Sequence, residues 1–81
     1  MGKENTMTIY DLNPGDKGSI LKYNCDCQET QRMRELGLLE NTRFQVIRFA
    51  PFGGPVEIRY RGYHLSIGKT MAQLLEIKRN G

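Results

Sequence analysis

The sequence lacks several features that would place it in the larger functional classes. Its 81 residues are too few for the large enzyme folds, such as the eight-stranded α/β barrel. The longest uninterrupted apolar runs contain two residues, for example Leu38-Leu39, whereas a membrane-spanning helix needs about 20. The amino end has no charged-then-apolar signal pattern. We therefore expect one compact cytoplasmic domain with no segment inserted in a membrane.

Cysteine is also scarce, with only Cys25 and Cys27 present. Residues two apart cannot join distant parts of a fold, so the disulfide framework of a small secreted domain is excluded. Two thiolates in a loop are candidate ligands for a transition metal, although a closed site requires four ligands. Alternatively, Cys27 is a small apolar residue of a helix and Cys25 a loop residue. The sequence thus predicts no cofactor and leaves these two cysteines as the candidate metal ligands.

The patterns that accompany catalysis are incomplete. Gly68-Lys69-Thr70 resembles the end of a phosphate-binding loop, but Tyr63 stands where that pattern requires a glycine. The single histidine, His64, alternates with Ser66 on a predicted strand, and spacing places no acid beside them. The sequence therefore predicts a protein that is not an enzyme.

Charge is distributed unevenly along the chain. Residues 1–40 carry five basic and seven acidic side chains, whereas residues 41–81 carry seven basic and two acidic ones. A basic half suits an anionic partner, or it forms solvated strand faces that maintain solubility. Arg59, Tyr60 and Arg61 resemble the basic-aromatic mixture of single-strand-binding barrels, but alternation places Tyr60 on the face opposite the arginines. We therefore expect no nucleic-acid partner.

Hydrophobic periodicity predicts a mainly β fold. Residues 1–6 are polar and are expected to form a flexible lead before a single domain over residues 7–79. The segments predicted as strands are 18–23, 42–49, 56–60, 63–67 and a last strand containing Leu75 and Ile77. The alternation slips between Val46 and Ile47, which predicts a bulge of the kind that small barrels require.

One helix is predicted between the first two strands, from Asp26 to Gly37. Asp26 is the expected N-cap, and Gly37 is expected to end the helix in a left-handed conformation. Its apolar face is expected to contain Cys27, Thr30, Met33 and Leu36. A short helical turn follows within 68–73, before the last strand. The predicted architecture is a small barrel of about five strands, with one inserted helix and this short turn.

Four segments together resemble a known family. They are Leu12-Asn-Pro-Gly-Asp-Lys-Gly-Ser-Ile20, Arg32-Met-Arg-Glu-Leu-Gly-Leu38, Ala50-Pro-Phe-Gly-Gly-Pro-Val-Glu-Ile-Arg59 and Arg61-Gly-Tyr63. In order and spacing they resemble the ferrous iron transport protein A (FeoA) family, over residues 7–78. The resemblance implies an SH3-like small barrel with an inserted helix.

The resemblance also implies a function. It implies a small accessory protein that binds and modulates the membrane ferrous iron transporter FeoB through that transporter's cytoplasmic, GTP-hydrolysing region. Such a protein would act in the cytoplasm, at the inner face of the membrane. A closely similar domain forms the carboxyl end of some iron-dependent repressors. The alternative hypothesis is therefore a stand-alone metal-sensing or nucleic-acid-binding module.

Three surfaces are candidates for partner binding. The first is the exposed side of the predicted helix, with Arg32 and Arg34. The second is the loop at 51–55, where Phe52 either anchors a partner or caps the core. The third is the strip formed by Arg59 and Arg61, which alternation places in solvent.

Overall fold

The computed structural model describes residues 7–80. Five strands and two α-helices follow a short 3₁₀ turn at Ile9–Asp11, and in chain order they are β1 (Lys17–Tyr23), α1 (Gln28–Glu35), β2 (Arg43–Phe49), β3 (Val56–Tyr60), β4 (Tyr63–Ile67), α2 (Lys69–Gln73) and β5 (Leu75–Asn80). The mainly β fold with a helix after the first strand and a short one before the last is confirmed. The predicted flexible lead, residues 1–6, lies outside the described residues.

The five strands form one antiparallel sheet in the order β4-β3-β2-β1-β5. Within residues 7–80 no pairing joins β4 to β5, so the sheet is open where the sequence predicted a closed barrel. The outer edge of β5 is paired with Met7 instead. Met7 forms a β-bridge with Ile77, and its carbonyl accepts from the Ile77 N–H at 2.9 Å.

Two bulges interrupt the pairing. The register of β2 against β3 shifts between Val46 and Arg48, which confirms the predicted bulge and leaves Ile47 as the extra residue. A second shift lies between Ile20 and Lys22 on β1. The periodicity of the sequence gave no sign of this second bulge.

Positive φ angles define two turns of the chain. Arg61 and Gly62, between β3 and β4, have φ of 50° and 81°, as a two-residue type I′ hairpin requires. Gly15 has φ of 93° and the Asp16 N–H donates to the Asn13 carbonyl at 2.9 Å. This is the geometry of a type II turn, which needs positive φ at its third residue.

Helix α1 begins later than predicted. Its N-cap is Cys27 and not Asp26. The Thr30 side chain explains the difference, because its hydroxyl accepts from the Cys27 N–H at 3.1 Å and donates to the Cys25 carbonyl at 2.8 Å. Thr30 is fully buried, so these hydrogen bonds are shielded from water and outcompete a solvated carboxylate.

The end of α1 agrees with the predicted stop. Gly37 has φ of 96°, and its N–H donates to the Arg34 carbonyl at 2.9 Å. The Leu38 N–H donates to the Met33 carbonyl at 3.1 Å, which completes a Schellman motif. Leu38 is fully buried, whereas Leu36, predicted on the apolar face, is 46% exposed. The apolar contact is therefore made by Leu38, after the helix, and not by the C-cap residue Leu36.

One hydrophobic core lies against the inner face of the sheet. Strand, turn and α2 residues form it, the fully or almost fully buried ones including Ile9, Leu12, Ile20, Leu38, Phe44, Val46, Val56, Ile58, Tyr60, Ile67, Ala72, Leu75 and Ile77. Burial of each such aliphatic side chain contributes about 1.5–3 kcal/mol relative to exposure. The polar residues that alternate with them are left on the outer face, where the candidate site lies.

Candidate functional site

Strand β3 separates buried and exposed residues along its length. Ile58 and Tyr60 are 0% and 4% exposed, and the Tyr60 hydroxyl donates to the Leu36 carbonyl at 2.8 Å. The structure places Arg59 and Arg61 on the exposed side. The two arginines therefore contact solvent on the outer face of the sheet, while the aromatic residue between them belongs to the core.

Strand register brings further polar residues beside Arg59. Lys17 on β1 pairs with Asn80 on β5 and with Gln45 on β2, and Gln45 pairs with Arg59 on β3. Residues directly opposite in an antiparallel sheet point to the same face. These four side chains therefore form one row across four strands. Arg43 lies two residues before Gln45 and projects from the same face.

This part of the outer face forms a groove of about 540 Å³. We call it the basic groove, and its polar lining consists of Lys17, Arg43, Gln45, Arg59, Arg61 and Asn80. Among the described residues that line it, none is acidic. The four cations are absent from the ion pairs formed within residues 7–80. The groove is therefore a concentrated positive surface whose cations form no ion pair with the carboxylates of the described residues.

The amides of the groove are held in place by neighbours. The Asn80 Nδ2 donates to the Ser19 hydroxyl at 2.7 Å, and the Gln45 Nε2 donates to the Gly15 carbonyl at 3.1 Å. Both hydrogen bonds join residues at least 30 positions apart in the sequence. The polar lining between the cations is therefore ordered by the fold itself.

The acid nearest to Arg59 on β3 is already engaged. One oxygen of the Glu57 carboxylate accepts from Arg48 at 2.9 Å, and the other lies 3.1 Å from the His64 Nε2. Glu57 does not line the basic groove. Both oxygens of Glu57 are therefore engaged by Arg48 and His64, outside the basic groove.

Arg34 and Arg32 differ in their surroundings. Arg34 forms a two-bonded ion pair with Glu40 at 2.9 and 2.8 Å and lies over the Tyr23 ring, 4.7 Å from its centroid. Hydrogen bonding to Arg34 lowers the pKa of Glu40 and raises that of Arg34 itself. Arg32 is exposed on α1. Neither arginine lines the basic groove.

Two tyrosines attach the segment after α1 to the sheet. The Tyr23 hydroxyl donates to the Leu38 carbonyl, just as Tyr60 does to the Leu36 carbonyl. Burial raises the pKa of Tyr23 to about 12, although nearby Arg34 opposes the shift. We call Tyr23 and Tyr60 the tyrosine anchors. Sequence reasoning identified Tyr60 as a core residue but assigned no hydrogen-bonding role to either tyrosine.

Phe52 is an exposed side chain. Its exposed fraction is 103%, so of the two alternatives it does not cap the core. Its φ of 60° is in the left-handed region, which is uncommon for a bulky residue. The loop that carries it is closed by the Ala50 N–H donating to the Pro55 carbonyl at 2.9 Å. Phe52 does not line the basic groove.

Cys25 and Cys27 are joined by a disulfide. In this form neither sulfur is a thiolate, which is the species that binds metals. Across residues 7–80, no group of three or more histidine, cysteine or acidic residues is placed to hold a metal ion. The structure therefore brings together the two predicted sulfur atoms but adds no third ligand. Cys27 is a helix N-cap and not part of an apolar helix face.

Comparison with known protein families gives a match over nearly the whole chain. The model of the FeoA domain matches residues 7–79. The chain belongs to the FeoA family. Membership connects it with ferrous iron transport, and the SH3-like fold implied by the four sequence segments is confirmed.

Solved structures of FeoA proteins have the same fold. A FeoA described as an iron uptake regulatory protein is 25% identical, with a TM-score of 0.82, and the match covers 94% of this chain and all of that one. FeoA from Chlorobium tepidum is also 25% identical, with a TM-score of 0.85, covering 93% of this chain and 71% of that one. A manganese-dependent transcriptional repressor matches at 15% identity and a TM-score of 0.84, over 96% of this chain and 43% of that one. This last likeness concerns the fold alone.

Four of the six polar residues that line the basic groove of this FeoA-family chain were not predicted. Sequence reasoning named Arg59 and Arg61 but missed Lys17, Arg43 and the two amides. Outward alternation on β2 is a signal for Arg43 and Gln45, since the buried Phe44 lies between them. No local signal exists for Lys17, because its proximity to Arg59 depends on which strands pair.

No helix in the described part of this FeoA-family chain combines the length and apolar character needed to cross a membrane. The longest one, α1, has eight residues and carries charges on its surface.

Proposed function

We propose that this FeoA-family chain is a non-enzymatic accessory module that binds a FeoB-type ferrous iron transporter. Its contact on the transporter is the cytoplasmic, GTP-hydrolysing region, so the module works in the cytoplasm at the inner face of the membrane. Family membership supports the pathway. The observation that carries the binding role is the basic groove, where four cations converge and no carboxylate of residues 7–80 forms an ion pair with them.

Electrostatics explain why such a groove suits binding. Exposed like charges held together raise the local potential, which speeds encounter with an acidic partner and selects against basic ones. Lys17, Arg43 and Arg59 project from paired strands and Arg61 from the hairpin between β3 and β4, so their backbone positions are set before binding and little ordering is required. A charged surface that is already ordered suits a small protein whose role is to bind a larger partner.

The sequence-predicted interface residues have unequal parts in this proposal. Arg59 and Arg61 form its centre, because they line the groove. Arg32 and Phe52 are exposed outside it and are proposed as peripheral contacts. Arg34 contributes less, since its guanidinium is committed to Glu40.

Transport and binding assays test the proposal together. We expect deletion of the gene to reduce uptake of labelled ferrous iron under anaerobic, iron-poor conditions, while uptake of other metals is spared. We also expect the purified protein to retain the cytoplasmic region of FeoB in a pull-down. Unchanged uptake of ferrous iron in the deletion strain would contradict the proposed role in transport. Absence of the pull-down, with both proteins folded, would overturn the proposed partner.

A further inference from the structure

The basic groove has a directional shape that restricts what it accommodates. Its lining residues come from β5, β1, β2 and β3 in that spatial order, and from the hairpin that follows β3. Adjacent strands lie about 4.8 Å apart, so the Cα atoms of Lys17 and Arg59, two strands apart, are separated by about 10 Å. A ligand that contacts both cations must therefore extend across the strands.

The charges of the groove require several negative groups on that ligand. Lys17, Arg43, Arg59 and Arg61 lie together, and none of the described residues that line the groove is acidic. The ion pairs within residues 7–80 use other basic residues, among them Arg48 and Arg79. Guanidinium groups bind carboxylates through two parallel hydrogen bonds. A single carboxylate would leave the opposite end of the groove unneutralised.

The aromatic residues of the groove argue against stacked bases. Phe44 and Tyr60 line it but are only 3% and 4% exposed, so neither presents a ring face to a ligand. Proteins that bind single strands rely on the stacking of bases on such exposed ring faces. Tyr63 is 63% exposed, but it pairs with Tyr60 and shares its face of the sheet, opposite the arginines. The groove therefore presents cations but no exposed aromatic ring on which a base could stack.

We propose that the basic groove binds an extended acidic segment of the partner protein, which crosses the strands with carboxylates at alternate positions. An extended chain advances about 3.3 Å per residue and turns alternate side chains to one face, so carboxylates recur about every 6.6 Å. Two or three of them span the distance between Lys17 and Arg59 once side-chain lengths are included. This inference rests on the proposed function, because it assigns the segment to the cytoplasmic region of the transporter.

A labelled peptide tests the inference without the transporter. The probe is a fluorescein-labelled octapeptide with glutamate at alternate positions and serine between them, and the matched control has glutamine in place of glutamate. Binding to the full chain is followed by fluorescence anisotropy at low and physiological salt. We expect the glutamate peptide to bind and to weaken as salt is added, since exposed charges are screened. Equal binding of the glutamine peptide overturns the inference.

Variants that reverse or remove charges of the groove locate the site. We expect Arg59→Glu with Arg61→Glu, and separately Lys17→Gln with Arg43→Gln, to weaken peptide binding about tenfold or more. The matched control is Lys22→Glu with Lys69→Glu, which makes the same charge change as the first pair at exposed positions outside the groove. The lower net charge of this control is expected to weaken binding slightly in any case. Apart from that general effect, the control should change peptide binding less than about twofold. An equal loss in the control would show non-specific attraction and would overturn the site.

Three further outcomes are decisive. Tighter binding of an eight-residue oligothymidine than of the glutamate peptide, lost in the Arg59→Glu, Arg61→Glu variant, would assign the groove to polynucleotide and overturn the inference. If the Arg59→Glu, Arg61→Glu variant retains the FeoB region and the glutamate peptide does not bind the wild-type protein, the groove is not the binding site, but the proposed function stands. Peptide binding in the groove without retention of the FeoB region would leave the groove standing and overturn the proposed partner. Far-ultraviolet circular dichroism and thermal melts confirm that each variant is folded.

Discussion

The inner and outer sides of β3 are represented by neighbouring residues, Tyr60 and Arg59, which differ in burial, hydrogen bonding and charge. On the inner side, Tyr60 is buried and its hydroxyl is satisfied by the Leu36 carbonyl. On the outer side, Arg59 is exposed and lines a groove of like charges. The inner side has satisfied its hydrogen bonds within the chain, whereas the outer side has charges that no described carboxylate pairs with.

This difference separates stability from recognition. The tyrosine anchors connect the sheet to the segment after α1, so changes there are expected to lower the free energy of unfolding. The cations of the basic groove contribute little to folding, because exposed charges in water interact weakly. Substitutions on the inner side should therefore act on folding, and substitutions on the outer side on binding.

The largest expected effect is that of Tyr60→Ala on the inner side. Removing a buried aromatic side chain costs about 3–5 kcal/mol, a large part of the 5–15 kcal/mol that typically stabilises a small domain. Urea unfolding followed by circular dichroism measures the loss. Tyr60→Phe is the control, since it removes only the hydrogen bond and should cost about 1 kcal/mol. A folded Tyr60→Ala protein beside an unfolded Arg59→Glu, Arg61→Glu variant would show that the two sides are reversed.

Gly37→Ala should have the next largest effect. Gly37 ends α1 with φ of 96°, and a side chain in the left-handed region costs about 1–2 kcal/mol. The same unfolding experiment measures the change in free energy of unfolding. Gly37→Asn is the matched variant, because asparagine tolerates this conformation better than alanine. Equal costs for the two substitutions would contradict the assignment of the loss to backbone conformation.

The Tyr23 anchor predicts a loss of stability in alkali. Burial raises its pKa from 10.0 to about 12, so above pH 10 the folded protein holds this proton more tightly than the unfolded chain does. The contribution is complete below pH 10 and is lost as the pH rises towards 12. Tyr23→Phe should flatten the pH dependence of the unfolding free energy in this range, relative to the wild type. The exposed Tyr63→Phe should leave it unchanged, and an equal flattening there would refute the prediction.

The smallest expected effect on folding is that of Arg59→Glu with Arg61→Glu on the outer side. Both residues are exposed, so the free energy of unfolding should change by less than about 0.5 kcal/mol. Retention of the FeoB cytoplasmic region in a pull-down should nevertheless fall, while Lys22→Glu with Lys69→Glu retains it. A loss of stability comparable to that of Gly37→Ala would mean that the groove cations also support the fold.

Local patterns predicted much of the fold because their causes are local. The Schellman stop at Gly37 follows from the positive φ that glycine adopts at low cost, and Gly62 gives the Arg61-Gly62 hairpin the same freedom at its second residue. The start of α1 was predicted wrongly, because Asp26 and Thr30 are both capable of capping a helix. The outcome depended on which side chain the fold buries, and burial is not a local property.

Interactions across longer separations could not be predicted in this way. Arg34 and Glu40 are six residues apart across the end of a helix, and only the turn at Gly37 brings them together. The open edge of the sheet has a similar origin, since Met7 pairs with β5 and β4 does not. Each of these contacts depends on which of several residues, distant in sequence, the fold brings together.

By itself, the sequence determined which residues of β3 face the core, because side chains alternate with a period of two in any strand. It also determined the family, through segments that share order and spacing with FeoA proteins. Only the tertiary structure decided that Lys17, Gln45, Arg59 and Asn80 form one row. The physical reason is that alternation is set within a strand, whereas register depends on pairing between strands and on the bulges that shift it.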